Sequence, residues 1–240
     1  MLEHFLSPVD AGRAGRTFQR LARHDIGTWV LTGGLAVEIH HELRGCRSCI
    51  RILNDVDFVT DSFTCLPESL AADFLFRHIH PFDPPGKTIL QAVNVDDALR
   101  IDIFRAYGAT VRRASGLNLS SASIRLISLE DLVARSARIV LDIAEGVAVE
   151  RKYARDFLRL VRLLDPAVVE TVWQDHRKPD QPETFREANA LLQSLIPAHP
   201  ELLIESEYAT SAEEICGRCA NTSAFHLADR RVILSLLGYC

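Results

Sequence analysis

The segment ILNDVDFVTD, residues 52 to 61, is the strongest constraint on what this chain can become. Asp55 and Asp57 lie in a run of β-formers and alternate with Val56 and Phe58. Residues two apart in a strand share a face, about 6.6 to 7 Å apart along the backbone. One face of this strand is therefore apolar and the other carries two carboxylates, which repel each other. The pattern recurs in LRIDIFRA, where Asp102 sits between Ile101 and Ile103. One explanation is an edge strand with solvated aspartates, although aspartate is depleted in strands. The other is that the acids share divalent cations, because hard ions such as magnesium take oxygen ligands and neutralise the repulsion. Three strand aspartates suit a two-metal centre for phosphoryl displacement, with ions roughly 3.5 to 4 Å apart.

Around these segments the chain reads as mixed α/β. VDAGRAGRTFQRLARH has helical spacing, GTWVLTGG is a buried strand stopped by Gly33 and Gly34, and LAVEIHHELRG is a helix. PESLAADFLFRHI is expected to be a helix opened by Pro67, followed by a turn-rich loop in PFDPPGKT. TILQAVNV, ALRIDIFRAYG and SIRLIS are expected to be three more strands. From Ser128, a helix cap with Asp131 close behind, the remainder is mostly helical. The expected fold class is α+β: a mixed open sheet with flanking helices over residues 1–126, a helical domain over 127–210, and a cysteine-containing tail over 211–240. A glycine pair that ends a strand and opens a helix also leaves backbone N–H groups free for a phosphate.

LTGGLAVEIH, NDVDFV and RIDIF together resemble the nucleotidyltransferase superfamily that includes DNA polymerase beta, in its minimal bacterial branch. SLEDLVARSARIV and RKYARDFLRL are similar to the helices that follow in AbiE-type toxin nucleotidyltransferases. The resemblance implies a nucleotidyltransferase-like sheet that moves an NMP from an NTP to an acceptor hydroxyl. Asp55, Asp57 and Asp102 would hold Mg²⁺ or Mn²⁺, with Asp102 helping to activate the acceptor. Thr32, Gly33 and Gly34 would hold the triphosphate, Lys152 would meet the nucleotide, and Arg51 would meet phosphate. Lys152 with Asp156 is equally an i, i+4 pair on a solvated helix face. The acceptor stays open between RNA such as tRNA, a protein and an aminoglycoside-like small molecule, and a toxin–antitoxin role is one form of the activity. The connection from Gly34 to Asp55 is longer than usual in the family, with the excess at RGCRSC.

Cys46 and Cys49 form one Cys-x-x-Cys, and Cys216 and Cys219 form another. Four thiolates suit a structural zinc site. A tail-only site with His226 or Cys240, or plain packing as small apolar groups, are the alternatives. Six cysteines in 240 residues are too few for a disulfide scaffold. A net charge of −5 argues against a wholly basic nucleic-acid surface, while Arg100, Arg105, Arg112 and Arg113 beside Asp102 can attract a triphosphate or an RNA end. No apolar run has the length of a membrane span and no signal peptide is evident, so a cytoplasmic protein is expected. Two other functional classes fit the same residues: a non-catalytic binding or regulatory protein on the nucleotidyltransferase scaffold, and an unrelated metal-dependent phosphohydrolase.

Overall fold

Local signals set most element boundaries in the computed structural model, which describes residues 1–62, 66–79, 89–94, 96–119, 122–147, 149 and 151–203. Helix α1, Pro8–Leu21, starts where Ser7 Oγ accepts from the Asp10 N–H at 3.1 Å and Pro8 takes the first turn. Strand β1, Val30–Thr32, runs straight into α2, Gly33–Leu43. Strand β2 spans Asp55–Thr60, β3 Leu75–Ile79, β4 Ile89–Asn94 and β5 Leu99–Arg105. A single helical turn, α3, Thr110–Arg113, leads into the hairpin of β6, Ser115–Leu119, and β7, Ala122–Leu126. Helix α4, Leu129–Val140, is capped by Ser128 as expected, its Oγ accepting from the Asp131 N–H at 3.1 Å. Helices α5, Arg151–Leu160, α6, Pro166–His176, and α7, Phe185–Ala198, follow, the last opened by a capping box of Thr184 and Glu187.

The seven strands form one sheet in the order β3-β4-β5-β2-β1-β7-β6. β2 is parallel to β5 and antiparallel to β1, and β1 is parallel to β7. This is the expected mixed open sheet with flanking helices. Val56, Phe58, Ile101 and Ile103 point to one face and are at most 1% exposed. Helix α1 covers them, with the Phe18 and Phe58 rings edge to face at 6.4 Å between centroids. The acids consequently project from the opposite face, beside α2, α4 and α5. One continuous apolar core joins the sheet to the later helices, from Phe58 and Leu126 through Leu132 and Phe157 to Trp173 and Leu192.

One expectation fails, and the sheet holds one further strand beyond those expected. PESLAADFLFRHI is not one helix: a 3₁₀ turn over Glu68–Ala72 gives way to β3. Helical spacing of Leu70, Phe74 and their neighbours is outweighed by the ladder β3 forms with β4, while the Asp73 carboxylate is held by His24 Nε2 at 2.9 Å. The strand β6 is not expected from its glycine- and asparagine-bearing sequence, and it exists because β7 offers it an antiparallel edge. The loop expected in PFDPPGKT and the tail 211–240 lie outside the described residues.

Candidate active site

Register brings the strand acids together. Asp57 lies directly across from Asp102 in the parallel β2–β5 pair, and Asp55 lies across from Arg100. Thr32 pairs with Asp57 on the other side, in the antiparallel β1–β2 ladder. Paired and alternate residues share a face, so Asp55, Asp57, Arg100, Asp102 and Thr32 form one patch across three strands. Arg100 Nη2 donates to Asp55 Oδ2 at 2.6 Å, and its Nε lies 3.1 Å from Asp102 Oδ1.

Asp57 is the least comfortable member. Burial, followed by the nearby charges of Asp55 and Asp102, pushes its carboxyl up to about 7. Arg135 on α4 and Lys152 on α5 are the cations that oppose this shift. Lys152 is expected at the site from the sequence; Arg135 is not. The Arg135 guanidinium lies over the Phe104 ring, 5.1 Å from its centroid, and Phe104 follows Asp102 on the same face of β5. Its signal in the sequence is an arginine, half-buried in the structure, within the apolar stripe of Leu132, Ala134 and Ala137.

The glycine pair is built against this patch. Gly33 has φ of +68°, and a Cβ there would lie 1.8 Å from Asp57 Oδ2. Only glycine permits this close approach of the α2 N-terminus to the acid. Thr32 is fully buried, and its hydroxyl has no hydrogen-bond partner among the described residues. An orphaned buried hydroxyl, a helix N-terminus without a side-chain cap and three carboxylates therefore meet where β1, α2, β2 and β5 come together.

These residues suit a divalent cation by donor type, all being hard oxygens. As the side chains stand, no three His, Cys, Asp or Glu groups among the described residues enclose a common point. Arg100 lies between two of the three acids instead.

Arg51 is elsewhere. The sequence suggests a phosphate contact, but Arg51 is turned into the interior, 8% exposed, with its Nε donating to Glu38 Oε1 at 2.6 Å and its Nη2 to Asp156. Arg159 clasps the same Glu38 with bonds of 2.6 and 2.8 Å, and the Cys49 N–H donates to it at 2.8 Å. Burial alone would raise the Glu38 carboxyl, yet Arg159 and Arg51 hold it down at about 2. Arg51 is thus a structural cation that supports the site from behind: a Cβ on Gly34 would come 3.0 Å from its guanidinium. The same network buries Asp156 against Arg51 and Arg159, so Asp156 does not stand on a solvated helix face.

Of the arginines near Asp102, Arg113 is also occupied, bonded to Asp131 at 2.6 and 2.8 Å and to Asp175 at 2.8 Å. Arg105 and Arg112 are exposed. Cys46, exposed, and Cys49, half-buried, are free thiols in the loop after α2, and Cys216 and Cys219 lie outside the described residues. No helix among the described residues is long and apolar enough to cross a membrane.

No known family model matches the chain, and no curated protein matches it. Among solved structures, it is similar to an antigenic nucleotidyltransferase-like protein from Paracoccidioides brasiliensis, with 17% identity, coverage of 83% of this chain and 92% of that one, and a TM-score of 0.43. It is also similar to the antibiotic-resistance factor ANT(2'')-Ia, with 13% identity, coverage of 80% and 97%, and a TM-score of 0.44. Both likenesses are loose at these scores, and the strand acids themselves carry the functional reading.

Proposed function

We propose that the protein is a metal-dependent nucleotidyltransferase that moves an NMP from an NTP to the hydroxyl of an acceptor, the hydroxyl oxygen attacking the α-phosphate as its bond to the β-phosphate oxygen breaks and pyrophosphate leaves. The observation that carries this is the register of β1, β2 and β5, which sets Thr32, Asp57 and Asp102 in one row and presses Gly33 against Asp57. A merely solvated acidic strand has no need of a glycine with positive φ at its carboxylate.

In this proposal Asp55, Asp57 and Asp102 hold two Mg²⁺ or Mn²⁺ ions. Such ions, when bound, favour the attacking alkoxide and neutralise charge on the displaced phosphate oxygen. The N–H groups of Gly33 and Gly34 and the Thr32 hydroxyl donate to the triphosphate, aided by the α2 dipole. Lys152 and Arg135 offset its negative charge from the helix side. Asp102, at the far end of the row, takes up the proton of the acceptor hydroxyl. RNA such as tRNA, a protein and a small hydroxylated molecule are the candidate acceptors.

The test is to incubate the protein with each α-labelled NTP, magnesium and a mixed pool of RNA, protein and small hydroxylated compounds. Label is expected in one acceptor class and absent with EDTA or in Asp55→Ala. Undiminished labelling in Asp55→Ala would sink the proposal, and so would failure to bind any NTP with magnesium or manganese, which would leave a non-catalytic scaffold.

We also propose that Cys46 and Cys49 join Cys216 and Cys219 in a structural Zn²⁺ site. Protein purified without chelators is expected to carry one zinc per chain by elemental mass spectrometry. That zinc should be lost in the Cys46→Ser, Cys49→Ser double variant. An unchanged zinc content there would move the site to the tail alone.

A further inference from the structure

Arg100 occupies an unusual position. It stands two residues before Asp102 on the same face of β5 and directly across from Asp55 on β2. Its guanidinium lies between the two carboxylates, hydrogen-bonded to Asp55 Oδ2 at 2.6 Å and in an ion-pair contact of 3.1 Å with Asp102 Oδ1, and its side chain is only 23% exposed. A long planar guanidinium can lie against two carboxylates at once in this way, whereas a compact ammonium holds only one of them closely. A divalent ion shared by Asp55 and Asp57 needs oxygens of both, and an oxygen of Asp55 is already engaged by Arg100.

We infer that Arg100 is a tethered counter-cation that competes with a divalent ion for Asp55 and must leave that carboxylate before the ion can bind. This rests on the proposed role of the aspartates as metal ligands. Arg100 is then a positioning residue: it keeps Asp55 and Asp102 from repelling each other apart, and it sets the divalent concentration at which the site fills. Admission of the ion exchanges one ion pair for another within the patch. The cost of breaking the bridge is subtracted from the ion's affinity.

The measurement is Mn²⁺ affinity by titration calorimetry for the intact chain and for Arg100→Lys and Arg100→Gln, with circular dichroism to confirm folding. Both variants are expected to bind Mn²⁺ more tightly than wild type, Arg100→Gln by about tenfold and Arg100→Lys by less, since a partly buried bridging pair lost on binding is worth about that factor. If Arg100 acts through its charge alone, Arg100→Lys will match wild type, and the inference is overturned. Wild-type protein supplies a second readout that needs no variant to fold. The ¹⁵N side-chain resonances of Arg100, whose Nη2 donates to Asp55 and whose Nε lies beside Asp102, should shift when Mg²⁺ saturates the site, and Arg100 signals unmoved at saturation also overturn the inference. Absence of Mn²⁺ binding in all three proteins overturns both this inference and the metal-dependent transfer. Tighter Mn²⁺ binding in the variants without any nucleotidyl transfer by wild type leaves the Arg100 bridge standing and removes the transferase.

Discussion

Asp57→Asn is expected to yield a protein that is inactive yet more stable than wild type in the absence of metal. Burial and the neighbouring Asp55 and Asp102 raise this carboxyl from its ordinary 3.8 to about 7. The native state therefore binds that proton more tightly than the unfolded chain does. The stability associated with the proton is complete below about pH 4 and is lost as pH rises through about 7. At neutral pH and above, the ionised Asp57 costs stability, and an amide in place of the carboxylate removes the charge while keeping the shape. Because the side chain is partly open to solvent, screening limits the gain to about 1 kcal/mol, or about 2 to 4 °C in Tm for a chain of this size. Thermal melts in EDTA from pH 5 to pH 8.5 should show the two proteins converging at the acid end and the Asp57→Asn variant ahead at the alkaline end. NMP transfer in the same variant should fall by at least about 10² to 10³. A variant that melts lower than wild type at pH 8 would show that Asp57 is not under the electrostatic load described above.

Glu38→Gln is expected to destabilise the protein by about 3 to 5 kcal/mol, the usual cost of removing one partner from a buried ion network. Glu38 is completely buried, and it accepts from Arg51, from Arg159 and from the Cys49 N–H. Glutamine keeps the size but leaves two guanidinium groups sharing the single remaining acid, Asp156. Urea unfolding at pH 7 would measure the loss, and a cost below about 1 kcal/mol would contradict this assignment. The pH dependence has the opposite sign to that of Asp57. The Glu38 carboxyl is held at about 2 against an ordinary 4.5, so the stability it contributes is present above about pH 4.5 and disappears as pH falls towards 2. Transfer activity should fall along with stability, because the Arg51 guanidinium of this network packs beside Gly34, where an added Cβ would lie 3.0 Å from it.

Much of the site was legible because a strand has a period of two and no room for ambiguity about faces. Asp55 with Asp57, and Asp102 between Ile101 and Ile103, declare an acidic face and an apolar face by their spacing alone, and burial of Val56, Phe58, Ile101 and Ile103 agrees. The helix caps at Ser7, Ser128 and Thr184 were local events of the same kind. Segments whose pattern suits two structures were decided by neighbours: LFRHI became β3 only because β4 was there to pair with it. Arginines were the least legible residues. Arg51, Arg100 and Arg113 all read as candidate phosphate contacts, yet the structure pairs Arg51 with Glu38 and Asp156, Arg100 with Asp55 and Asp102, and Arg113 with Asp131 and Asp175. Their partners lie from 2 to 105 positions away in sequence, and long side chains pair through space, not by periodicity.

The sequence by itself determined that three aspartates would stand on strands opposite a hydrophobic face and that a glycine pair would end one strand and open a helix. These are consequences of local geometry, carried by neighbouring residues. Tertiary structure alone decided that Asp57 and Asp102 would be side by side, that Gly33 would touch Asp57, and that Arg100 would bridge Asp55 to Asp102. It also decided the use of RGCRSCIR, the long connection after α2, whose backbone carries Cys49 and Arg51 inward to Glu38. Strand order and register are set by burial and ladder hydrogen bonds summed over the whole sheet, and no single segment contains them.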